Sequence, residues 1–239
     1  MYFELDMLVY VLFIAAMIFS IYAQVRVSST YRKYSNIPCG RGESAATVAR
    51  RMLNSAGIYD VRIERVPGNL TDHYDPRTNV LRLSDAVFDN SSAAAIGVAA
   101  HEAGHAVQYA ENYFPVKLRR ALVPITNFAS RASWILIMLG VLITAFSATV
   151  SFGYYVLLFG IGLFGVTTLF QLVTLPCEFN ASARAIRYLD GSGVYSQEDV
   201  GAAKKVLWAA AMTYVAALAV SALQLLRLLL IVAGNRRRR

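Results

Sequence analysis

Histidine is scarce in this chain: only His73, His101 and His105 occur in 239 residues. Cysteine is scarcer. Cys39 and Cys177 stand far apart with no C-x-x-C spacing, which leaves a disulfide framework unsupported and suits reduced thiols on a cytoplasmic face. Charge is also sparse. Charged residues make up 16% of the chain and hydrophobic ones 56%, with a mean hydropathy of +0.45. That balance excludes an ordinary soluble domain and implies membrane integration. The net charge is +8. Basic and aromatic residues do not interleave, and no nucleic-acid motif appears, so the excess reads as membrane-topology charge with no nucleic-acid partner.

What the chain has in abundance is long hydrophobic runs. Residues 5–25 form the first candidate span, read as an uncleaved anchor (domain 1–25). A signal peptide fits poorly, because the run starts with Glu4 and Asp6 rather than lysine or arginine. Residues 133–150 and 154–176 are two further spans, each long enough to cross about 30 Å of hydrocarbon. Ser151-Phe152-Gly153 is the predicted turn between them, making 133–176 a helical hairpin. Gly160, Gly162 and Gly165 permit close helix contacts there, within the chain or in an oligomer. Residues 207–233 are a fourth apolar segment, interrupted by Arg227; within the 207–239 region it is transmembrane or interfacial.

Lysine and arginine placement sets the expected topology. Arg26, Arg32, Lys33, Arg41, Arg50 and Arg51 follow the first span. Lys117, Arg119, Arg120 and Arg131 precede the second, and Arg184, Arg187, Lys204 and Lys205 follow the third. All fall on one side, which should be cytoplasmic. The Arg236 to Arg239 tail breaks the pattern if the fourth segment crosses; it reads as a solvated tail, with anionic lipid headgroups as the alternative.

Residues 26–132 are long enough for a small cytoplasmic domain. Residues 42–55 predict a helix, with Ala46, Val48, Ala49, Met52 and Leu53 on its apolar side and Gly57 ending it. Residues 59–66 read as a half-exposed strand, and 71–83 as a hairpin turning at Asp75-Pro76-Arg77-Thr78. A helix over 91–111 follows, giving an α+β domain. Residues 79–83 or 71–74 could form an edge strand that pairs with an extended peptide.

That last helix carries His101-Glu102-Ala103-Gly104-His105, an H-E-x-x-H motif. Positions i and i+4 share one helix face, so both imidazoles can reach one metal ion. Glu102 stands where it can polarise a metal-activated water and shuttle its proton, the chemistry of zinc-dependent peptide hydrolysis. Gly104 costs about 1 kcal/mol of helix stability against alanine, a cost explained by close approach of another element or simply tolerated. A third ligand is expected, since catalytic zinc usually takes three. Gln108 and Glu111 occupy positions that are glycine and histidine in H-E-x-x-H-x-x-G-x-x-H enzymes, which excludes that class. Glu111 itself points away from the motif face. Glu178 is the leading candidate: Pro176 can break the third span and start a new helix in segment 177–206, which the membrane hairpin returns beside the motif. Asp190, in Leu189-Asp190-Gly191, is the rival; residues 190–193 read as a loop. His73 could stabilise an oxyanion or touch substrate, though a hairpin histidine is more often structural. Arg184 is a candidate electrostatic partner behind the ligands.

Three stretches carry a family resemblance: Asp72-His73-Tyr74-Asp75-Pro76-Arg77, His101 to Ala106, and Leu175-Pro176-Cys177-Glu178-Phe179-Asn180-Ala181-Ser182. Together they resemble the YugP-like membrane zinc metallopeptidases of bacteria across nearly the whole chain. More distantly the chain is similar to the HtpX/Ste24 peptidases, where an E-x-x-x-D helix completes the site; Ser182 stands here in place of that aspartate. The resemblance implies one catalytic zinc held by His101, His105 and Glu178, with Glu102 as general base; Ser182, at the departing position, is a candidate behind the ligands. The fold class expected is integral membrane α+β, helical transmembrane segments with a small cytoplasmic gluzincin-like zinc peptidase domain. The function expected is a zinc-dependent endopeptidase of the bacterial plasma or inner membrane, acting on peptide or membrane-protein substrates at the bilayer. Two other functions fit the residues: a non-catalytic zinc-stabilised membrane scaffold, and an intramembrane site-2-type metalloprotease using Asp190.

Overall fold

A computed structural model describes residues 2–40, 42–146 and 150–237. The element order is α1 (Tyr2–Tyr34), α2 (Ala45–Ser55), β1 (Arg62–Val66), β2 (His73–Asp75), β3 (Val80–Ser84), α3 (Ala93–Ala110), α4 (Phe114–Phe146), α5 (Val150–Gly191) and α6 (Gln197–Arg237). Four of these helices are long and apolar enough to cross a membrane, over Met7–Tyr34, Phe114–Phe146, Phe152–Gly191 and Gln197–Gly234. The structure divides into two units.

One unit comprises Tyr22–Lys117 and Leu175–Thr213. Its sheet has the order β1-β3-β2, with β1 parallel and β2 antiparallel to β3. Val80, Leu81 and Leu83 of β3 are fully buried, because both neighbours and both faces of the central strand are covered. Helix α2 starts at Ser44, whose side chain accepts from the Thr47 N–H, and lays Ala45, Val48, Ala49, Met52 and Leu53 into the core. Helix α3 starts at Ser92, whose hydroxyl accepts from the Ala95 N–H at 3.2 Å; such a cap is worth about 1 kcal/mol. Ile96, Ala99, Ala100 and Ala103 of α3 join the same core as Ala185 and Leu189 of α5 and Ala203 and Leu207 of α6.

The other unit comprises Met1–Ile21, Leu118–Thr174 and Tyr214–Arg239. Helices α4 and α5 approach closely there. A Cβ added to Gly140 would lie 2.5 Å from the Leu157 nitrogen, and one on Gly160 would lie 2.8 Å from that of Ile137. Gly162 meets nothing within 4 Å and Gly165 makes only ordinary contact with Leu225, so of the three glycines expected at contacts only Gly160 needs to be one.

Several expected boundaries move. Helix α4 begins at Phe114, well before 133, and α6 at Gln197, before 207. Ser151, Phe152 and Gly153 are all inside α5, so no turn falls there; residues 147–149 lie outside the described residues. The end of the Arg236–Arg239 tail also lies outside them. Residues 79–83 correspond to the central strand rather than an edge, and the edge beside it is β2. Pro176 does not start a new helix: α5 runs through it to Gly191. A proline inside a helix costs about 3 kcal/mol. Here Cys177, Ala181, Ala185 and Leu189, spaced four apart, form a fully buried stripe whose packing offsets that cost. Asp190 and Gly191 accordingly end the helix rather than begin a loop.

Candidate metal centre

Both histidines of the motif lie on one face of α3, and their rings meet edge to face with centroids 4.7 Å apart. Helix α5 brings Glu178 against them. Its Oε2 lies 3.3 Å from His101 Nε2 and 3.6 Å from His105 Nε2, and the three donor atoms lie within 4.8 Å of one another. Glu178 is buried and both histidines are half-buried. The close approach of the helices depends on Gly104, where a Cβ would stand 2.7 Å from the Ala181 carbonyl oxygen.

The outer ring nitrogens fix how the inner ones face. Ser182 Oγ lies 3.0 Å from His101 Nδ1. Gln108 Oε1 lies 3.0 Å from His105 Nδ1, and a chain of donors decides the orientation of that amide. Arg184 can only donate, and its Nε donates to Asn180 Oδ1 at 2.7 Å. The same oxygen accepts from Gln108 Nε2 at 2.9 Å, and the Cys177 carbonyl accepts from it at 2.8 Å. Gln108 therefore turns its oxygen to His105, which in its neutral form must carry the proton on Nδ1. The Nε2 lone pair is left facing Glu178. Arg184 is anchored in turn by Glu111, whose Oε2 accepts at 2.6 Å.

This set of donors fits zinc. Bonds of about 2.0–2.1 Å in tetrahedral geometry separate two ligand atoms by roughly 3.3 Å, close to the separations of Glu178 Oε2 from the two Nε2 atoms. Two imidazole nitrogens and one carboxylate oxygen suit a borderline-soft divalent ion. The electrostatics point the same way. Burial lowers the basicity of His105, but the Glu178 and Gln108 hydrogen bonds and the Glu102 charge outweigh it and raise the pKa. An anionic surround that favours a proton also favours a metal cation. Burial pushes the Glu102 carboxyl up from its ordinary value, against the pull of His105 and His101. Glu102 Oε2 also accepts from the Tyr74 backbone N–H of edge strand β2 at 3.1 Å.

Not every expected residue arrives. The exposed His73 ring holds the Thr71 carbonyl at 2.8 Å and faces Arg82 at 3.4 Å; it is bonded within the hairpin, not to the three ligands. Asp190 is exposed and accepts from Gln197 Nε2 at 2.8 Å. It lies twelve residues beyond Glu178 on one helix, about 18 Å along the axis, and is absent from the metal-capable cluster found among the described residues. Arg184 reaches the site through Asn180 and Gln108. Two residues were missed by sequence reasoning. Gln108 carries a usable signal, one helical turn after His105 on the same face. Asn180 carries one too, four residues before Arg184 on the same face of the expected helix.

Similar known proteins carry names of the same chemistry. Residues 9–233 match a family described as "Putative neutral zinc metallopeptidase". The chain is 43% identical over 232 residues to "Putative membrane protease YugP" of Bacillus subtilis (strain 168), covering 96% of this chain and 99% of that protein. No solved structure matches. A match that spans all six helices and both halves of the site is enough: the chain belongs to this neutral zinc metallopeptidase family.

Proposed function

We propose that the protein is a membrane-bound zinc endopeptidase with its site on the cytoplasmic face, acting on peptide segments close to the bilayer. The observation that carries this is the convergence of His101 Nε2 and His105 Nε2 on one oxygen of Glu178, with Glu102 next along the same helix. His101, His105 and Glu178 would hold the ion. Zinc bound there supplies a Lewis acid that eases deprotonation of water and polarises a peptide carbonyl. Glu102 takes the proton of the attacking water and hands it to the leaving amine. Ser182 and Gln108 hold the two rings in register. Strand β2 offers main-chain groups to an extended substrate, with the Tyr74 N–H held by Glu102 until one binds. The four long apolar helices and the name of the relative support the membrane setting, and the lysine and arginine distribution supports the cytoplasmic face.

The test pairs metal content with proteolysis in detergent-purified protein. Glu102→Gln should retain stoichiometric zinc and lose about 10²–10⁴-fold in peptide-bond cleavage. Glu178→Ala should lose zinc, and Asp190→Ala should keep it. Undiminished cleavage by Glu102→Gln overturns the role given to that residue. A zinc-loaded wild type that cleaves nothing in a broad peptide library favours the scaffold instead.

A further inference from the structure

Arg227 is the charged residue within the apolar run 207–233. On the membrane reading proposed above, it stands inside a span. A charge there is costly and faces a cavity or a partner rather than lipid. Its guanidinium carbon lies 5.1 Å from the Tyr10 ring centre and 5.9 Å from that of Phe13. No carboxylate pairs with it among the described residues. It lines a cavity of about 570 Å³ between α1, α4, α5 and α6, all within one structural unit.

The rest of that lining is unusual for the middle of four apolar helices. Ser20, Thr167, Gln171, Ser221 and Gln224 contribute polar groups. The Ser221 hydroxyl is matched by Thr168 at 2.7 Å, but Gln224 Oε1 is buried with no hydrogen-bond partner. Trp134 and Phe164, edge to face at 5.7 Å, form an aromatic wall. Along α6 the lining runs from Ala217 to Arg227, ten residues or about 15 Å of helix.

We propose that this cavity receives a transmembrane segment of another protein, one that carries an acidic side chain to pair with Arg227 and small polar groups for the amides and hydroxyls. Charge complementarity sets the acid. A second copy of this chain fits less well: the one acid in its apolar runs 5–25, 133–150, 154–176 and 207–233 is Asp6, at the outer end of the first and about 6 Å along the helix from Tyr10. A lipid phosphate would serve the Arg227 end alone. On α6 the polar side chains Gln224 and Ser221 carry the wall about 9 Å back from Arg227, and Ser20, Thr167 and Gln171 widen it onto α1 and α5, which a helix can line and a headgroup cannot.

The probe is a fluorescent single-span polyleucine peptide with one glutamate at the depth of Arg227, compared with its glutamine twin. Binding is measured to full-length Glu102→Gln protein in phosphatidylcholine nanodiscs, with and without chelator. The glutamate peptide should bind about tenfold tighter, a difference of the size expected for one partly solvated intramembrane ion pair. Arg227→Gln should erase the preference and Arg227→Lys keep it. Gln224→Leu should weaken binding of both peptides. Indifference to chelator separates this site from the zinc site, so either can fail alone. Equal binding of the two peptides to the unchanged cavity overturns the proposal. So does displacement of the peptide by phosphatidylglycerol, which would make the cavity a lipid-phosphate site.

Discussion

Gln108 shows how much a single amide can carry. Its oxygen faces His105 and its nitrogen spans to Cys177 and Asn180 on α5, so it both sets the ring's tautomer and ties the two halves of the site. Gln108→Leu should weaken zinc binding about 10–100-fold, the usual effect of removing an outer partner of a ligating histidine. Competition with a chromophoric chelator measures it directly. Gln108→Glu keeps an acceptor toward Nδ1 and should recover part of the loss; no recovery would mean the bridge to α5 matters more than the tautomer. Cys39 gives a second test at this scale. It is 5% exposed, and burial, with Asp199 nearby, pushes its thiol up to about 12. At pH 8 roughly one molecule in ten thousand carries the thiolate. Alkylation of Cys39 should therefore be very slow in the folded protein and become fast in denaturant, read by mass spectrometry.

At the scale of elements, the contact between α3 and α5 is the joint on which the site depends. Gly104→Ala would push a methyl to 2.7 Å from a backbone carbonyl, where nothing flexible can yield. The helices must separate, at about 1–3 kcal/mol for overpacking of this kind, and Glu178 moves with α5. Zinc affinity and melting temperature should both fall. Gly97→Ala is the control, since its Cβ would meet the Ala203 methyl at 3.2 Å. A Gly104→Ala protein with unchanged zinc affinity would show that the approach is not what positions Glu178. Much of this joint was legible beforehand. The i, i+4 histidines, the anomalous glycine inside a helix and the hairpin turning near Pro76 all follow from local rules. The course of α5 through Pro176 was not, because proline's local cost is visible in the sequence and the buried stripe from Cys177 to Leu189 that offsets it is visible only once packed. The early start of α4 was missed because Phe114 to Ala132 carries polar and basic residues among the apolar ones, which dilutes the hydropathy signal without breaking the helix.

At the scale of the whole molecule, the unit holding the site is assembled from two distant stretches, 22–117 and 175–213. Each contributes candidate ligands that the other lacks: two histidines from the first, one carboxylate from the second. Neither stretch can hold the ion with three donors alone, so zinc binding must draw on the folded pairing of the two. A ligand that binds only the folded state stabilises it by RT ln(1 + [L]/Kd), about 2.7 kcal/mol at a hundredfold excess over Kd and about 4 at a thousandfold. Removing zinc with a chelator should therefore lower the melting temperature of the full-length protein in detergent. It should also expose the turn between α5 and α6, residues 192–196, to limited proteolysis, because α5 is then held to α3 by packing and by the Gln108, Ser182 and Arg184 hydrogen bonds without the ion. Glu102→Gln should respond to chelator like the wild type, since Glu102 is outside the metal-capable cluster. Glu178→Ala should resemble the chelated wild type from the start and barely respond. If chelation leaves both the melt and the cleavage pattern of the wild type unchanged, the ion is not joining the two stretches, and the assignment of Glu178 as the third ligand fails with it.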